Sequence, residues 1–216
     1  MEVKGISQAT LKRLPIYFTY LKSLSPHGPA NISATAIAAA LDMGEVQVRK
    51  DLASVSKAGR PKVGYAVADL IHELEAFLGY DDVTDAVIVG AGKLGRALLD
   101  YGGFSEYGLN IVAGFDIRES LEGETEGGKS IFGLSRFPDL CRRMNIRIGI
   151  ITVPAESAQA ACDLMVENGI VAILNFAPVH LKVPEGVLLQ NENIAASLAG
   201  LSNRLLERIS REETKS

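Results

Sequence analysis

The chain has 216 residues, of which 47% are hydrophobic, and a formal net charge of −4; that is enough for one large domain or two small ones. No stretch approaches the roughly 20 apolar residues that a membrane-spanning helix needs. The opening Met1-Glu2-Val3-Lys4-Gly5 lacks the basic-then-apolar order of a secretory signal, so a cytoplasmic location is expected. The charge is unevenly spread: residues 1–65 carry nine Lys/Arg against four Asp/Glu, and the remainder thirteen against twenty-two. A basic first part joined to an acidic remainder points to a polyanionic partner for the first part alone.

From Ser7 to Leu24, Leu11, Leu14, Phe18 and Leu21 recur at helical spacing behind Ser7 as N-cap, with Pro15 expected to delay or kink the helix. Ser25-Pro26-His27-Gly28-Pro29 reads as a turn. Ser33 caps a short helix over Ala34–Leu41, Asp42-Met43-Gly44 turns, and a third helix runs from Glu45 to Val55. Two short helices joined so tightly form a helix-turn-helix unit. Lys57 to Tyr65 reads as a small basic hairpin, a wing, and Val67–Leu78 returns to helix with Leu70, Leu74 and Leu78 on one face.

The pattern changes after Asp81-Asp82, and a domain boundary is expected near Gly79–Thr84. Strands are predicted at 86–89, 110–115, 130–132, 148–153 and 171–174, with helices at 93–101, 137–144 and 155–167 between them and a Gly/Glu-rich loop at 119–129. Alternating helices and wholly apolar strands imply a parallel sheet covered on both faces. Cys141 and Cys162 fall in these helices, which reads as buried reduced thiols; no metal site is expected. The segment from Ile194 to Arg211 is a final amphipathic helix with Leu198, Leu201, Leu205 and Ile209 on one side.

Gly90-Ala91-Gly92-Lys93-Leu94-Gly95 is a G-x-G-x-x-G motif between a strand and a helix. Gly90 permits the turn, Gly92 lets a pyrophosphate approach the backbone, and Gly95 lets the helix pack on the sheet, while the helix N-terminus attracts phosphate. Asp116 ends the next strand, 21 residues after Gly95, where it is expected to accept from the adenosine ribose and favour NAD over NADP. Arg118 weakens that preference, since an Arg there can meet a 2′-phosphate. Thr152-Val153-Pro154 and Asn175-Phe176 close later strands and should line the same crevice, and Tyr101 is a candidate for stacking on the nicotinamide or on a partner. On the third helix Gln47, Arg49, Lys50 and Ser54 are polar while Val46, Val48, Leu52 and Val55 are apolar. Gln reads adenine, and Lys or Arg reads guanine or holds phosphate; Arg60 and Lys62 on the wing extend that reach.

Together these motifs resemble the Rex family of redox-sensing transcriptional repressors. The segments that carry the resemblance are Arg13-Leu14-Pro15-Ile16-Tyr17, Gln47-Val48-Arg49-Lys50-Asp51-Leu52, Val63-Gly64-Tyr65, Val89 through Gly95, Thr152-Val153-Pro154-Ala155 and Leu174-Asn175-Phe176-Ala177-Pro178. The resemblance implies an α/β fold with an N-terminal winged helix-turn-helix domain (1–80), a Rossmann doubly wound parallel sheet (81–193) and a swapped C-terminal dimerisation helix (194–216). It implies a homodimer that binds palindromic double-stranded operator DNA and is released when NADH, as against NAD+, occupies the Rossmann domain. Two features depart from the family: Thr19 and Asn193 stand where it often has an Arg and an Asp, and the wing Lys57-Ala58-Gly59-Arg60-Pro61-Lys62 lacks the usual aromatic and glycine pattern. A second class, a small NAD-dependent dehydrogenase, would need a general acid or base, for which His180 is the only histidine of the Rossmann part. A third is an adaptor whose N-terminal helices bind protein.

Overall fold

The computed structural model describes residues 6–24 and 28–213. The turn expected at 25–29 therefore lies largely outside the described residues. The chain separates into two compact units, Met1–Val83 with Glu106–Gly108, and Thr84–Ser105 with Leu109–Ser216.

The first unit is built from α1 (Gln8–Ser23), β1 (Asn31–Ile32), α2 (Ala34–Ala40), α3 (Glu45–Val55), β2 (Tyr65–Ala66) and α4 (Val67–Leu78). Ser7 caps α1 by accepting from the Thr10 amide, and Ser33 caps α2 by accepting from the Ala36 amide. The helix α1 starts at Gln8 and runs through Pro15 without a break. Leu14, Phe18 and Leu21 of α1 join Ile37, Val48, Leu52, Leu70 and Leu74 in one core, which is what holds three short helices that would be marginal alone.

The wing is tighter than a two-stranded ribbon. A single antiparallel bridge joins Arg60 to Gly64 across a turn in which Lys62 has φ 65°. The chain then pairs back on β1, with Ile32 opposite Tyr65. Gly64 has φ +87°, and a Cβ there would lie 2.2 Å from the Ile32 carbonyl oxygen. That contact explains why glycine stands between Val63 and Tyr65. Two-residue strands offer no alternation, so β1 and β2 left no signal in the sequence.

The second unit comprises β3 (Thr84–Val89), α5 (Lys93–Leu99), β4 (Leu109–Asp116), β5 (Gly123–Glu124), β6 (Ser130–Gly133), α6 (Phe137–Met144), β7 (Ile148–Ile151), α7 (Ala155–Glu167), β8 (Ala172–Asn175), β9 (Leu188–Asn191) and α8 (Ile194–Glu213). They form a seven-stranded sheet in the order β5-β6-β4-β3-β7-β8-β9. The sheet is parallel except at β5, which runs antiparallel to β6 inside the Gly/Glu-rich segment. The strand β9, absent from the sequence reading, pairs with β8 and is mostly exposed, so it lacks the apolar run of the inner strands.

Alternation in β3 shows why the sheet is covered on both sides. Val87 and Val89 pack with Phe137, Cys141, Ala158, Cys162 and Met165 of α6 and α7. Ile88, between them, packs with Leu99 of α5 and with Ile111 and Ile150. On this second face Leu174 and Phe176 are only partly buried. Both cysteines are buried free thiols, and burial pushes the Cys141 thiol up to about 11. Among the described residues no helix is long and apolar enough to cross a membrane, and no cluster of His, Cys, Asp or Glu could hold a metal.

Candidate functional site

The glycine turn sits at the C-terminal ends of β3 and β4. Gly90 takes φ +103°, and a Cβ on it would meet the Thr152 carbonyl at 2.8 Å. Its amide donates to the Phe115 carbonyl at 2.7 Å, and its own carbonyl accepts from the Thr152 hydroxyl at 2.6 Å. A Cβ on Gly95 would lie 1.9 Å from the Gly90 carbonyl oxygen. Gly90 and Gly95 are thus required by the fold itself.

Gly92 differs from both. A Cβ there would come no closer to the chain than 3.8 Å, to Arg118, and its φ of −70° suits any residue. Nothing internal demands glycine at 92; a missing side chain matters there only to a molecule resting on the turn. The helix α5 begins beside it with no side-chain cap, and Lys93 and Leu94 are exposed on its first turn. A bare turn leading to uncapped amides suits a pyrophosphate.

Asp116 and Arg118 flank the turn. The Asp116 Oδ2 accepts from the Ala91 amide at 2.8 Å and from Arg118 Nη2 at 3.1 Å. Its Oδ1 accepts from the Arg118 amide and from Nε, both at 3.0 Å. Burial works against the Asp116 charge, but the Arg118 and Ala91 donors outweigh it and hold the carboxyl below its ordinary range. The carboxylate expected to face a ribose is therefore already fully hydrogen-bonded within the chain. Ile117 between them is 77% exposed, an apolar side chain at the crevice rim that sequence reasoning passed over.

The later strand ends divide. Thr152 and Val153 are partly buried and Pro154 is exposed at the start of α7. Asn175 is fully buried: its Nδ2 donates to the carbonyls of Ala177 and Val179 and to Asn191 Oδ1, and its Oδ1 accepts from the Ala177 amide. That side chain ties β8 to β9, and it is fully buried with its amide hydrogens already donated. Tyr101 follows α5 instead of ending it; it is 61% exposed and stands edge-on to Phe104 at 5.2 Å. His180 is exposed in the loop after β8.

The six side chains predicted on the nucleic-acid face form two groups. Gln47, Lys50 and Ser54 rim one shallow groove with Ser7, Thr10, Arg13 and Val46. Arg49, Arg60 and Lys62 rim another with Ser33, Thr35 and Tyr65. The Ser54 hydroxyl donates back to the Asp51 carbonyl, and Arg49 forms an ion pair with Glu45 one turn earlier. Val46, grouped in sequence with the core side of the helix, is 64% exposed and shares the face of Gln47 and Lys50. Its i,i+4 spacing to Lys50 was the available signal. Behind α3, Asp51 is buried and accepts from Thr10, Tyr17 and Arg13, fixing α3 against α1.

The two departing positions have local partners. Thr19 donates to the Pro15 carbonyl at 2.9 Å and pairs with the Tyr107 hydroxyl at 2.9 Å. Tyr107 also stands edge-on to Phe18 and Tyr80. The Asn193 side chain accepts from the Ala196 amide at the start of α8.

Comparison with known proteins gives a consistent picture. A family model described as "CoA binding domain" matches residues 81–179, and one described as "Putative DNA-binding protein N-terminus" matches residues 5–53. The redox-sensing transcriptional repressor Rex of Porphyromonas gingivalis is 42% identical over 200 residues, covering 93% of this chain and 92% of that one. The Rex repressor of Pelotomaculum thermopropionicum is 39% identical over 208 residues, 96% and 98% of the two chains. Among solved structures, RSP in complex with beta-NAD+ and operator DNA matches with a TM-score of 0.87 at 34% identity, covering 98% of each chain. RSP in complex with beta-NADH matches with a TM-score of 0.85 at 33% identity, covering 97% of this chain and 98% of that one. With identity near 40% sustained over nearly the whole of both sequences, the chain belongs to the Rex family of redox-sensing transcriptional repressors.

Proposed function

We propose that the protein is a redox-sensing repressor that holds operator DNA through its winged helix and releases it when its Rossmann unit takes up NADH. The observation that carries this reading is that RSP, alike over 98% of this chain, has been crystallised both with operator DNA and beta-NAD+ and, separately, with beta-NADH. Residues 1–80 serve as the DNA-binding domain, 81–193 as the dinucleotide domain, and 194–216 as the dimerisation helix.

On DNA, Gln47 and Lys50 are the residues placed to read bases from α3, with Val46 able to meet a thymine methyl. Arg49, Arg60, Lys62 and Ser54 serve the backbone. In the Rossmann unit, the turn from Gly90 to Gly95 receives the pyrophosphate, and Thr152, Val153 and Pro154 with the Asn175–Phe176 backbone border the nicotinamide half. The nicotinamide ring is cationic when oxidised and neutral when reduced. An apolar surround drawn from Tyr101 and Phe176 disfavours the cation and so selects NADH. A coupling of about 1–3 kcal/mol between that choice and DNA affinity is enough for a switch.

Dimerisation follows from α8, whose described side chains are exposed, Ile194, Leu198, Leu201, Leu205 and Ile209 among them. A helix with so long an uncovered apolar face needs a partner, and a second copy gives two-fold symmetry that matches a palindrome. Such a regulator works where the chromosome is, in the cytoplasm. The test is operator binding by gel shift with each dinucleotide added in turn. NADH is expected to weaken binding and NAD+ to leave it; equal affinities would remove the redox switch and leave a DNA-binding protein. The dehydrogenase reading has no comparable support, since the relatives compared above are named as repressors.

A further inference from the structure

Three residues of the stretch between α5 and β4 belong to the first unit: Glu106–Gly108 group with Met1–Val83, while Ser105 before them and Leu109 after them belong to the second. Specific contacts hold them there. The Tyr107 ring packs on the core of the first unit, edge-on to Tyr80 at 5.3 Å and to Phe18 at 6.2 Å. Its hydroxyl lies 2.9 Å from Thr19 Oγ1. Thr19 donates its single hydroxyl proton to the Pro15 carbonyl, so in the Tyr107–Thr19 bond Tyr107 is the donor and Thr19 the acceptor. Gly108 follows at φ +65°, and a Cβ on it would lie 2.8 Å from the Tyr80 carbonyl oxygen, so the chain here is pressed against the residues that lead into β3.

Each side of this bond leads to a candidate binding surface. Upstream in the chain, a short 3-10 helix over Gly102–Tyr107 joins Tyr107 to Tyr101. The Tyr101 ring lies over Gly103, where a Cβ would come within 2.5 Å of it, and stands edge-on to Phe104 at 5.2 Å. A ligand that shifts Tyr101 therefore shifts this short helix, and Tyr107 is its last residue. Across the bond, Phe18 and Thr19 lie on α1, whose Arg13 and Tyr17 hold Asp51 of α3. Tyr17, Phe18 and Thr19 are consecutive, so one turn of α1 touches both Tyr107 and the reading helix.

From this we propose that Tyr107 is a positioning residue of the switch: its hydrogen bond to Thr19 is made in one of two arrangements of residues 102–108 and broken in the other, and operator and NADH favour opposite arrangements. The inference rests on the operator and dinucleotide binding described above. The bond suits that role because it can open at little cost. Thr19 is exposed and Tyr107 only partly buried, so water takes the place of either partner and no buried group is stranded. Its loss biases an equilibrium by a factor of about two to ten, the worth of one neutral hydrogen bond. That is a useful share of a switch and too little to act as a permanent lock. The edge-on contacts with Phe18 and Tyr80 keep the ring near its seat, so the two arrangements differ by a small movement.

Tyr107→Phe removes the donor and keeps the ring, and Thr19→Val removes the acceptor at similar size. On each full-length variant, operator affinity is measured by fluorescence anisotropy without nucleotide, and NADH affinity by fluorescence titration without DNA. Circular dichroism confirms that each variant is folded. Loss of a bond made in one arrangement shifts the shared equilibrium toward the other. The affinity for one ligand is therefore expected to rise by about two- to tenfold, while that for the other falls or holds. Which of the two rises identifies the arrangement that makes the bond. The double variant is expected to move no further than either single one, because both remove the same interaction. A bond that merely supports the fold would raise neither affinity. The proposal is overturned if neither affinity rises in Tyr107→Phe, or if the two substitutions add. Failure of the wild type to bind NADH or operator overturns the function described above instead, so the two failures are told apart.

Discussion

Arg13 and Asp51 meet in a two-point pairing, Nε to Oδ2 at 2.7 Å and Nη2 to Oδ1 at 2.9 Å, with the carboxylate only 5% exposed. Tyr17 donates to the same carboxylate at 2.8 Å and Thr10 at 3.0 Å. Four donors from α1 thus converge on one acceptor in the middle of α3, the helix that carries Gln47 and Lys50. This is a lock on the orientation of the reading helix. It also gives a structural reason why Arg13-Leu14-Pro15-Ile16-Tyr17 and Gln47 through Leu52 were among the segments that carried the family resemblance.

Replacing Asp51 by Ala leaves a guanidinium and two hydroxyls without their acceptor. The cost is expected to be about 3 kcal/mol, within the range for breaking a buried pair, with operator affinity falling alongside. Chemical denaturation and gel shift on the same preparation check both.

The same network makes a prediction about pH. Burial raises the Asp51 pKa, but the hydrogen bonds of Arg13, Tyr17 and Thr10 outweigh it, so the folded carboxyl lies below its ordinary value. A lowered folded pKa stabilises above the unfolded value of about 3.9 and is lost as pH falls through the folded one. Thermal melts between pH 7 and 3 are expected to show the wild type losing stability in the acid range. Asp51→Asn should be less stable at pH 7 and lose less on acidification. Parallel pH profiles for the two proteins would remove Asp51 from the account.

The three glycines of the turn should separate by experiment. Gly95→Ala forces a Cβ to within 1.9 Å of the Gly90 carbonyl oxygen and is expected to destabilise by about 1–3 kcal/mol or more, as overpacking does. Gly90→Ala should be comparable, because φ is +103°. Gly92→Ala has room within the chain, so its stability should stay within about 1 kcal/mol of wild type, the scale of an N-cap change. Its NADH affinity should nevertheless fall at least roughly tenfold. Thermal melts alongside NADH titrations distinguish a fold glycine from a ligand glycine.

On DNA, Arg60→Ala and Lys62→Ala are each expected to weaken binding to all sequences and to reduce the slope of log K against log salt by about one unit, as loss of a phosphate contact does. Gln47→Ala should instead cost about 1–3 kcal/mol on the preferred operator and less on others. Fluorescence anisotropy at several salt concentrations reads both. A slope unchanged by any of Lys50, Arg60 and Lys62 would favour a protein partner for this unit.

Leu201→Glu with Leu205→Glu places two charges on the apolar face of α8, where both leucines are 56% exposed in the single chain. The variant is expected to run as a monomer in sedimentation and to lose most affinity for a palindromic operator. The first unit's circular dichroism should be preserved. A variant that remains dimeric would move the interface elsewhere.

Much of this was legible in the sequence, because the relevant signals are local. Helical periodicity and caps placed α3, α4, α6 and α7 at the predicted residues, and Ser7 and Ser33 cap as expected. Apolar runs marked the inner strands, the first of them ending at Gly90, since a strand buried on both faces has little room for polar side chains. The glycine motif and the acid that ends β4 were visible because a phosphate-binding turn needs those residue types in that order. What the sequence could not decide was how those residues share their hydrogen bonds. Whether Asp116 faces a ribose or is consumed by Arg118 and Ala91, and whether Asn175 meets a ligand or ties β8 to β9, depends on which atoms folding brings within 3 Å. Likewise Val46 reads as core by composition and is exposed by packing, and β1, β2 and β9 exist only because a distant strand supplies their partners. Propensity is a property of a segment, but a hydrogen-bonding group can be satisfied only once, and tertiary structure decides by whom.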